Sequence, residues 1–232
     1  MIKSKNDYKY FMEADRVAIG IVIKPGLTMW IKNFFIPNHI WNFQRCLRKL
    51  EYYKNCKKNI WQFIVYSLVL YKHNKLSVKL GFSIPPNVFG PGLSIAHYGT
   101  IVINGSTRIG ANCRIHSCVN IGTEAGYSNK APEIGNNCYI GPGAKIYGDI
   151  KIADGIAIGA NSVVNKSFKE ENIAIAGVPA KRISSVDTFN FITPAIQIIE
   201  LGENYNDSLI SMPARDIYEK IKPYLIKKRF FK

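Results

Sequence analysis

Acidic side chains are what this sequence has least of. Its 232 residues hold 16 Asp and Glu against 31 Lys and Arg, a formal net charge of +15. The shortage is local: residues 1–80 carry 4 acidic against 15 basic side chains, residues 81–184 carry 6 against 9, and residues 185–232 carry 6 against 7. Such an excess raises nucleic acid, an anionic membrane surface or an anionic substrate as partners. No nucleic-acid-reading motif accompanies the charge, so nucleic acid is not expected. A long hydrophobic run is also missing. The longest apolar stretch, Ile60 to Tyr71, is broken by Gln62 and Ser67 and is too short to span a bilayer. The N-terminus has no apolar core followed by a small-residue cleavage site. The five cysteines (Cys46, Cys56, Cys113, Cys118, Cys138) lack paired or CxxC spacing and read as small apolar filler in a reduced, cytoplasmic protein. There is no Ser-His-Asp signature, no zinc spacing and no phosphate-binding glycine loop, so no metal is expected. With 47% hydrophobic and 20% charged residues, disorder, a coiled coil and a collagen-like fibre are excluded.

What is there is a six-residue repeat. Ile103, Ile109, Ile115 and Ile121 are followed, after a break, by Ile134, Ile140, Ile146, Ile152, Ile158 and Val164. Glycine or a small or polar residue usually comes next, as at Gly110, Gly122, Gly135, Gly141 and Gly159. Six residues are too few for a helix pair but suit a short strand plus a tight turn. Three such units close a triangular coil, and stacked coils line Ile above Ile in one continuous core. The spacing predicts a parallel β-helix of hexapeptide type over roughly residues 84–176.

Two irregularities mark a site. Between Ile121 and Ile134 the frame slips by one, and Gly122 to Pro132 is rich in turn formers, which predicts a loop expelled from the coil. Solenoid insertions gather on one face, often the binding face, although a plain surface insertion reads the same way. Running the frame backwards puts His97 in a slot that elsewhere holds Ile. A buried histidine can be structural, but breaking a repeat rule points to function. His116, 19 residues on, falls one coil up and one position along, which predicts neighbouring imidazoles.

Four stretches, Gly92-Leu-Ser-Ile-Ala-His97-Tyr-Gly99, Val119-Asn-Ile-Gly-Thr123, Ile140-Gly-Pro-Gly-Ala-Lys-Ile146 and Ala176-Gly-Val-Pro-Ala-Lys181, resemble the serine acetyltransferase branch of the hexapeptide acyltransferases. The resemblance covers about residues 80–184. It implies a left-handed parallel β-helix, usually a homotrimer, with acetyl-CoA lying between coils of adjacent subunits. It places the catalytic base at His97, and the repeat frame adds the neighbouring His116 as a second catalytic candidate. The pantetheine arm would run near Gly122, Thr123, Gly141, Pro142 and Ala160, and Lys181 and Arg182 would meet the CoA phosphates or stand as a solvated pair. Some motif positions differ. Ala96 precedes His97 where the family has Asp. Ser83-Ile84-Pro85-Pro86 replaces an Asp-Ile-His-Pro stretch, with one residue fewer before His97, and Ala131-Pro132 replaces His-Pro. Those groups include the ones expected to hold serine, so the expected acceptor is a hydroxyl of a sugar or surface-polysaccharide precursor. Serine O-acetyltransferase of cysteine biosynthesis is the alternative. A catalytically weak scaffold whose basic helices bind a partner is the alternative of another class.

The ends flank this domain of residues 81–184. Residues 1–80 read as a helical region. Asn38 to Lys58 has Ile40, Trp41, Phe43, Leu47, Leu50 and Tyr53 on its apolar side, with Arg45, Arg48, Lys49, Lys54 and Lys57 around them. Ile60 to Tyr71 forms a second helix, followed by a basic connector, Lys72 to Lys75. Three roles compete for the region: a cap on the coil, a peripheral membrane contact through Trp30, Trp41 and Trp61 among Lys and Arg, and recognition of an anionic acceptor. In residues 185–232, Pro213 to Lys228 reads as a helix kinked or ended by Pro223, with no chemistry of its own.

Overall fold

The computed structural model describes residues 1–21, 35–202 and 207–230. Trp30 lies outside them. Helices α1 (Lys5–Ala18), α2 (His39–Cys56) and α3 (Ile60–Leu80) come first. Each begins at a polar N-cap: the side chains of Ser4, Asn38 and Asn59 accept from the amides of Asp7, Trp41 and Gln62. The segment Lys72 to Lys75 is helical rather than a connector. α3 runs on to Gly81, whose φ of +75° gives the left-handed cap that ends it.

Strands β1 (Phe82–Ser83), β2 (Ser94–Ile95), β3 (Ile101–Ile103), β4 (Arg108–Ile109), β5 (Arg114–Ile115) and β6 (Val119–Gly122) build the first coils. Strands β7 (Glu133–Ile134), β8 (Tyr139–Ile140), β9 (Lys145–Tyr147), β10 (Lys151–Ile152), β11 (Ala157–Ile158), β12 (Val163–Val164) and β13 (Ile173–Gly177) continue them. They stack in three parallel sheets: sheet I is β1-β3-β6-β9-β12, sheet II is β4-β7-β10, and sheet III is β2-β5-β8-β11-β13, with β14 (Ala180–Ser185) added antiparallel to β13. The Ile ladder predicted from the repeat is the observed core. Ile103 pairs with Ile121 and Ile121 with Ile146 in sheet I; Ile109 with Ile134 and Ile134 with Ile152 in sheet II; Ile115 with Ile140 and Ile140 with Ile158 in sheet III. Ile121 is fully buried between two rungs. Trimming it to Val is expected to cost ~0.5–1.5 kcal/mol in urea unfolding, the usual result for one buried methyl group.

Two details of the frame differ from the sequence reading. From Ile121 to Ile134 the chain makes a single step from sheet I to sheet II, so the excess is a seven-residue loop rather than a slip of one. Before the ladder, the slot predicted for His97 belongs to Ile95, which pairs with Ile115 and is 3% exposed. From Ile95 the next Ile-ladder rung is Ile103, two residues late. The extra residues widen the corner between sheets III and I and carry His97 out of the core.

The corners explain why Asn and Gly recur. Asn112, Asn137 and Asn172 have φ of 53°, 56° and 57°, a left-handed conformation that Asn tolerates better than other side chains. Asn161 sits similarly above Gly143 (φ +75°), where a Cβ would overlap the Asn161 side-chain oxygen.

The helices cap the first coil. Phe43 and Leu47 of α2 and Leu80 of α3 join the same buried cluster as Phe82, Ile84 and Leu93. Arg48, one of the cations around the apolar side of α2, is fully buried. It donates to Asp15 of α1 at 2.8 Å, to Glu51 at 2.9 Å, and to the carbonyls of Phe89 and Gly90 at 2.9 and 2.7 Å. Asp15 in turn accepts from the amides of Gly92 and Leu93. Burial alone would favour the neutral guanidine, but Asp15 and Glu51 more than offset it and hold Arg48 charged.

After β14, a 3₁₀ turn (Thr188–Asn190) and helices α4 (Ala195–Glu200), α5 (Asp207–Ile210) and α6 (Ala214–Phe230) return along the corner between sheets II and III. The amide of Ile196 donates to Asn112, and the Thr188 hydroxyl to the carbonyl of Asn137. Ala195, Ile198, Ile210, Ile217 and Ile221 close on Val17 and Ala18 of α1. Of the two outcomes expected at Pro223, a kink or an end, α6 does not end there: the helix continues past it.

Candidate functional site

The corner between sheets III and I is a stack of short turns. The amide of Gly143 donates to the carbonyl of Ser117 at 3.0 Å, and that of Asn161 to Pro142 at 2.8 Å. A Cβ on Gly99 would touch Ser117 at 3.2 Å. His97, His116, Gly141, Pro142 and Ala160 all lie on this stack.

The predicted neighbours are neighbours: the rings of His97 and His116 have centroids 5.8 Å apart. His97 is exposed, because the widened corner places it outside the ladder. His116 follows Ile115 directly and is half-buried, with its ring 5.0 Å from Tyr139. Its Nε2 is buried without a hydrogen-bond partner. Burial, then the positive charges of Arg114 and His97, push its pKa from 6.5 down to about 4. His116 is therefore a neutral imidazole at pH 7, with a buried nitrogen lacking a partner beside an exposed imidazole. An imidazole ¹⁵N titration should find His116 changing protonation near pH 4, well below 6.5. Because protonation then favours the unfolded chain, this residue's contribution to stability falls as pH drops from 6.5 towards 4.

The tail, read as free of chemistry, reaches this site. Phe191 packs edge-on against Tyr139, centroids 5.7 Å apart, and Tyr139 lies on His116. No local signal pointed to Tyr139 or Phe191, since their contact joins positions 52 apart. Beside His97, Tyr98, Gly99 and Thr100 border an open groove of about 410 Å³ whose far wall carries His39 and Lys79.

Gly122 and Thr123 are elsewhere in the chain, at the corner between sheets I and II where the loop leaves. Here a Cβ on Gly122 would meet only Asn120, at 3.7 Å, so the space is open. The expelled loop folds on itself: Glu124 pairs with Lys130 at 3.2 Å, Lys130 lies over the ring of Tyr127 at 3.7 Å, and Ser106 donates to Ser128. Gly141 is glycine for a different reason. The next coil presses on it, and a Cβ would sit 2.7 Å from the carbonyl of Ile158. Arg182, suggested for CoA phosphates, is committed to Glu170 at 3.0 Å and Ser185 at 3.0 Å, whereas Lys181 beside it is exposed. Of the substituted motif positions, Ala131 is buried, Ala96 is half-buried and Ser83 is exposed in β1.

Comparison with known proteins agrees with the coil and its motifs. The family model "Bacterial transferase hexapeptide (six repeats)" matches residues 131–166. A serine acetyltransferase of Buchnera aphidicola is 36% identical over 132 residues, which are 56% of this chain and 48% of that protein. One of Staphylococcus aureus is 38% identical over 144 residues, 61% of each chain. The chain thus spans about half to three-fifths of these relatives. Among solved structures, the serine acetyltransferase of Neisseria gonorrhoeae superposes with a TM-score of 0.60 at 25% identity, covering 78% of this chain and 68% of that one. A serine acetyltransferase in complex with CoA superposes with a TM-score of 0.58 at 26% identity, covering 77% of this chain and 71% of that one. The fold is the left-handed parallel β-helix of hexapeptide repeats, and the chain resembles serine acetyltransferases along it.

Proposed function

We propose that this chain is an acetyl-CoA-dependent O-acetyltransferase with His97 as its general base. The observation that carries this reading is the exposed imidazole of His97 beside the neutral imidazole of His116, 5.8 Å away, on one corner of a hexapeptide coil. In the reaction, His97 takes the proton of an acceptor hydroxyl as its oxygen attacks the thioester carbonyl. The C–S bond then breaks, and the proton returns to the departing thiolate. A neutral His116 favours this cycle, since a second cation beside His97 would oppose its protonation. Acetyl-CoA is the substrate that supplies the acetyl group. The open side of Gly122 suits its pantetheine arm, and Lys181, the last residue of the Ala176–Lys181 stretch, is an exposed cation. Gly122 and His97 occupy different corners of one chain, so both line one donor site only if a second copy contributes a corner. A homotrimer, typical of hexapeptide transferases, supplies that arrangement.

The named relatives support L-serine as the acceptor better than the sugar suggested by the sequence, and none of them supports a role in polysaccharide synthesis. The Lys79 ammonium on the groove suits an acceptor carrying a carboxylate. A sugar hydroxyl is the second reading, carried by Ala96, Ser83 and Ala131, where acidic or imidazole groups are missing. The test is thiol release from acetyl-CoA by the full chain with L-serine, free hexoses and nucleotide sugars. Turnover with L-serine well above hydrolysis is expected. Turnover with sugars alone would move the acceptor to the second reading, and release with none of them would overturn the proposed activity and favour the scaffold.

A further inference from the structure

The outer face of α3 is apolar, and among the described residues nothing covers it. Trp61, Ile64, Leu68 and Tyr71 recur every three or four positions and are 74%, 43%, 64% and 61% exposed, with Ile60 beside Trp61 at 67%. Phe63 widens the stripe at 51% exposed. A soluble helix normally turns such a stripe inward, so an exposed one marks a contact surface.

The surrounding charge identifies the partner. Lys57 and Lys58 stand before the stripe, and Lys72 and Lys75 after it, all exposed. From position 52 to position 123 the chain contains no Asp or Glu. The four acidic residues of the first 80 are engaged with their own region: Asp15 and Glu51 are buried on Arg48, Glu13 pairs with Arg16, and Asp7 accepts from the Lys3 amide. A second copy of this face would bring like charges together. An anionic lipid surface offers an apolar layer for the stripe and phosphates for the lysines. Among the described residues no helix is long and apolar enough to cross a membrane, which fits a helix lying on one. Of the tryptophans first suggested for such a contact, Trp61 is on this face, whereas Trp41 is half-buried in α2.

We propose that α3 docks the protein on an anionic phospholipid surface, through the exposed stripe from Ile60 to Tyr71 and the lysines at its two ends. The face is separate from His97, and the inference stands whether or not the acetyl-transfer reading does. The full chain should co-sediment with phosphatidylcholine–phosphatidylglycerol vesicles, bind little to phosphatidylcholine alone, and be released by salt. Each neutralised lysine should weaken binding by roughly fivefold. Replacing Lys57, Lys58, Lys72 and Lys75 by Gln should therefore lower it by at least about 10²-fold. The pair Trp61→Asp and Leu68→Asp, at exposed positions, should abolish binding while leaving the circular dichroism spectrum unchanged. No binding by the unaltered chain, equal binding to both vesicle types, or unaltered binding by these variants would overturn the proposal. So would a lower assembly mass by light scattering for the Asp pair without any vesicle binding by the parent, which would assign the face to a second copy.

Discussion

Replacing Arg48 by Leu is expected to destabilise the fold by about 3–5 kcal/mol, because it leaves two buried carboxylates without their cation. The effect should be read as a shift in the urea midpoint at pH 7. Arg48 fastens α1 to α2 through Asp15, and α2 to the first coil through the carbonyls of Phe89 and Gly90. Losing it strips partners from four acceptors at once. The deficit should deepen as pH rises. Burial already pushes the Asp15 carboxyl up, and without Arg48 little beyond the Gly92 and Leu93 amides opposes that push. A carboxyl with a raised folded-state pKa keeps its share of stability below the unfolded value and loses it as pH climbs through the folded one. Removing all three charges together should recover only part of the loss, since the amides of Gly92 and Leu93 would then lack their acceptor.

The second large effect belongs to His97. Its replacement by Ala should lower kcat for acetyl transfer ~10²–10⁴-fold, the usual contribution of a positioned general base. Its exposure in a widened corner means that the substitution opens no cavity, and the unfolding midpoint should hardly move. A variant that kept parental turnover on a confirmed acceptor would remove His97 from the mechanism. His116→Gln makes a separate comparison: it keeps a polar group at the buried position but removes the imidazole.

Much of this architecture was legible in the residues, and the misreadings have definite causes. The isoleucine ladder was readable because every rung repeats the same local rule, so ten weak signals reinforce one another. The adjacency of His97 and His116 survived an error in the frame, since one coil of separation brings them together even though Ile95, not His97, fills the slot. The error came from a two-residue expansion at a single corner, where the periodic signal is weakest. Nothing in the pattern of α2 singles Arg48 out among its several cations, because its burial depends on Asp15, 33 positions away. Phe191 and Tyr139 were silent for the same reason: their contact exists only because the tail turns back. Long-range pairing of single residues leaves no periodic trace in a sequence.

That turning back changes the mechanics of the whole chain. A stack of coils is ordinarily a linear array in which each layer rests on its neighbours and the ends fray independently. Here Ile198, Ile210 and Ile217 from the far end close on Val17 and Ala18 at the near end. The array becomes a closed circuit, with no free terminus from which unfolding can start without also breaking the clasp. Coils at opposite ends, which never touch, are thereby tied to one cooperative transition.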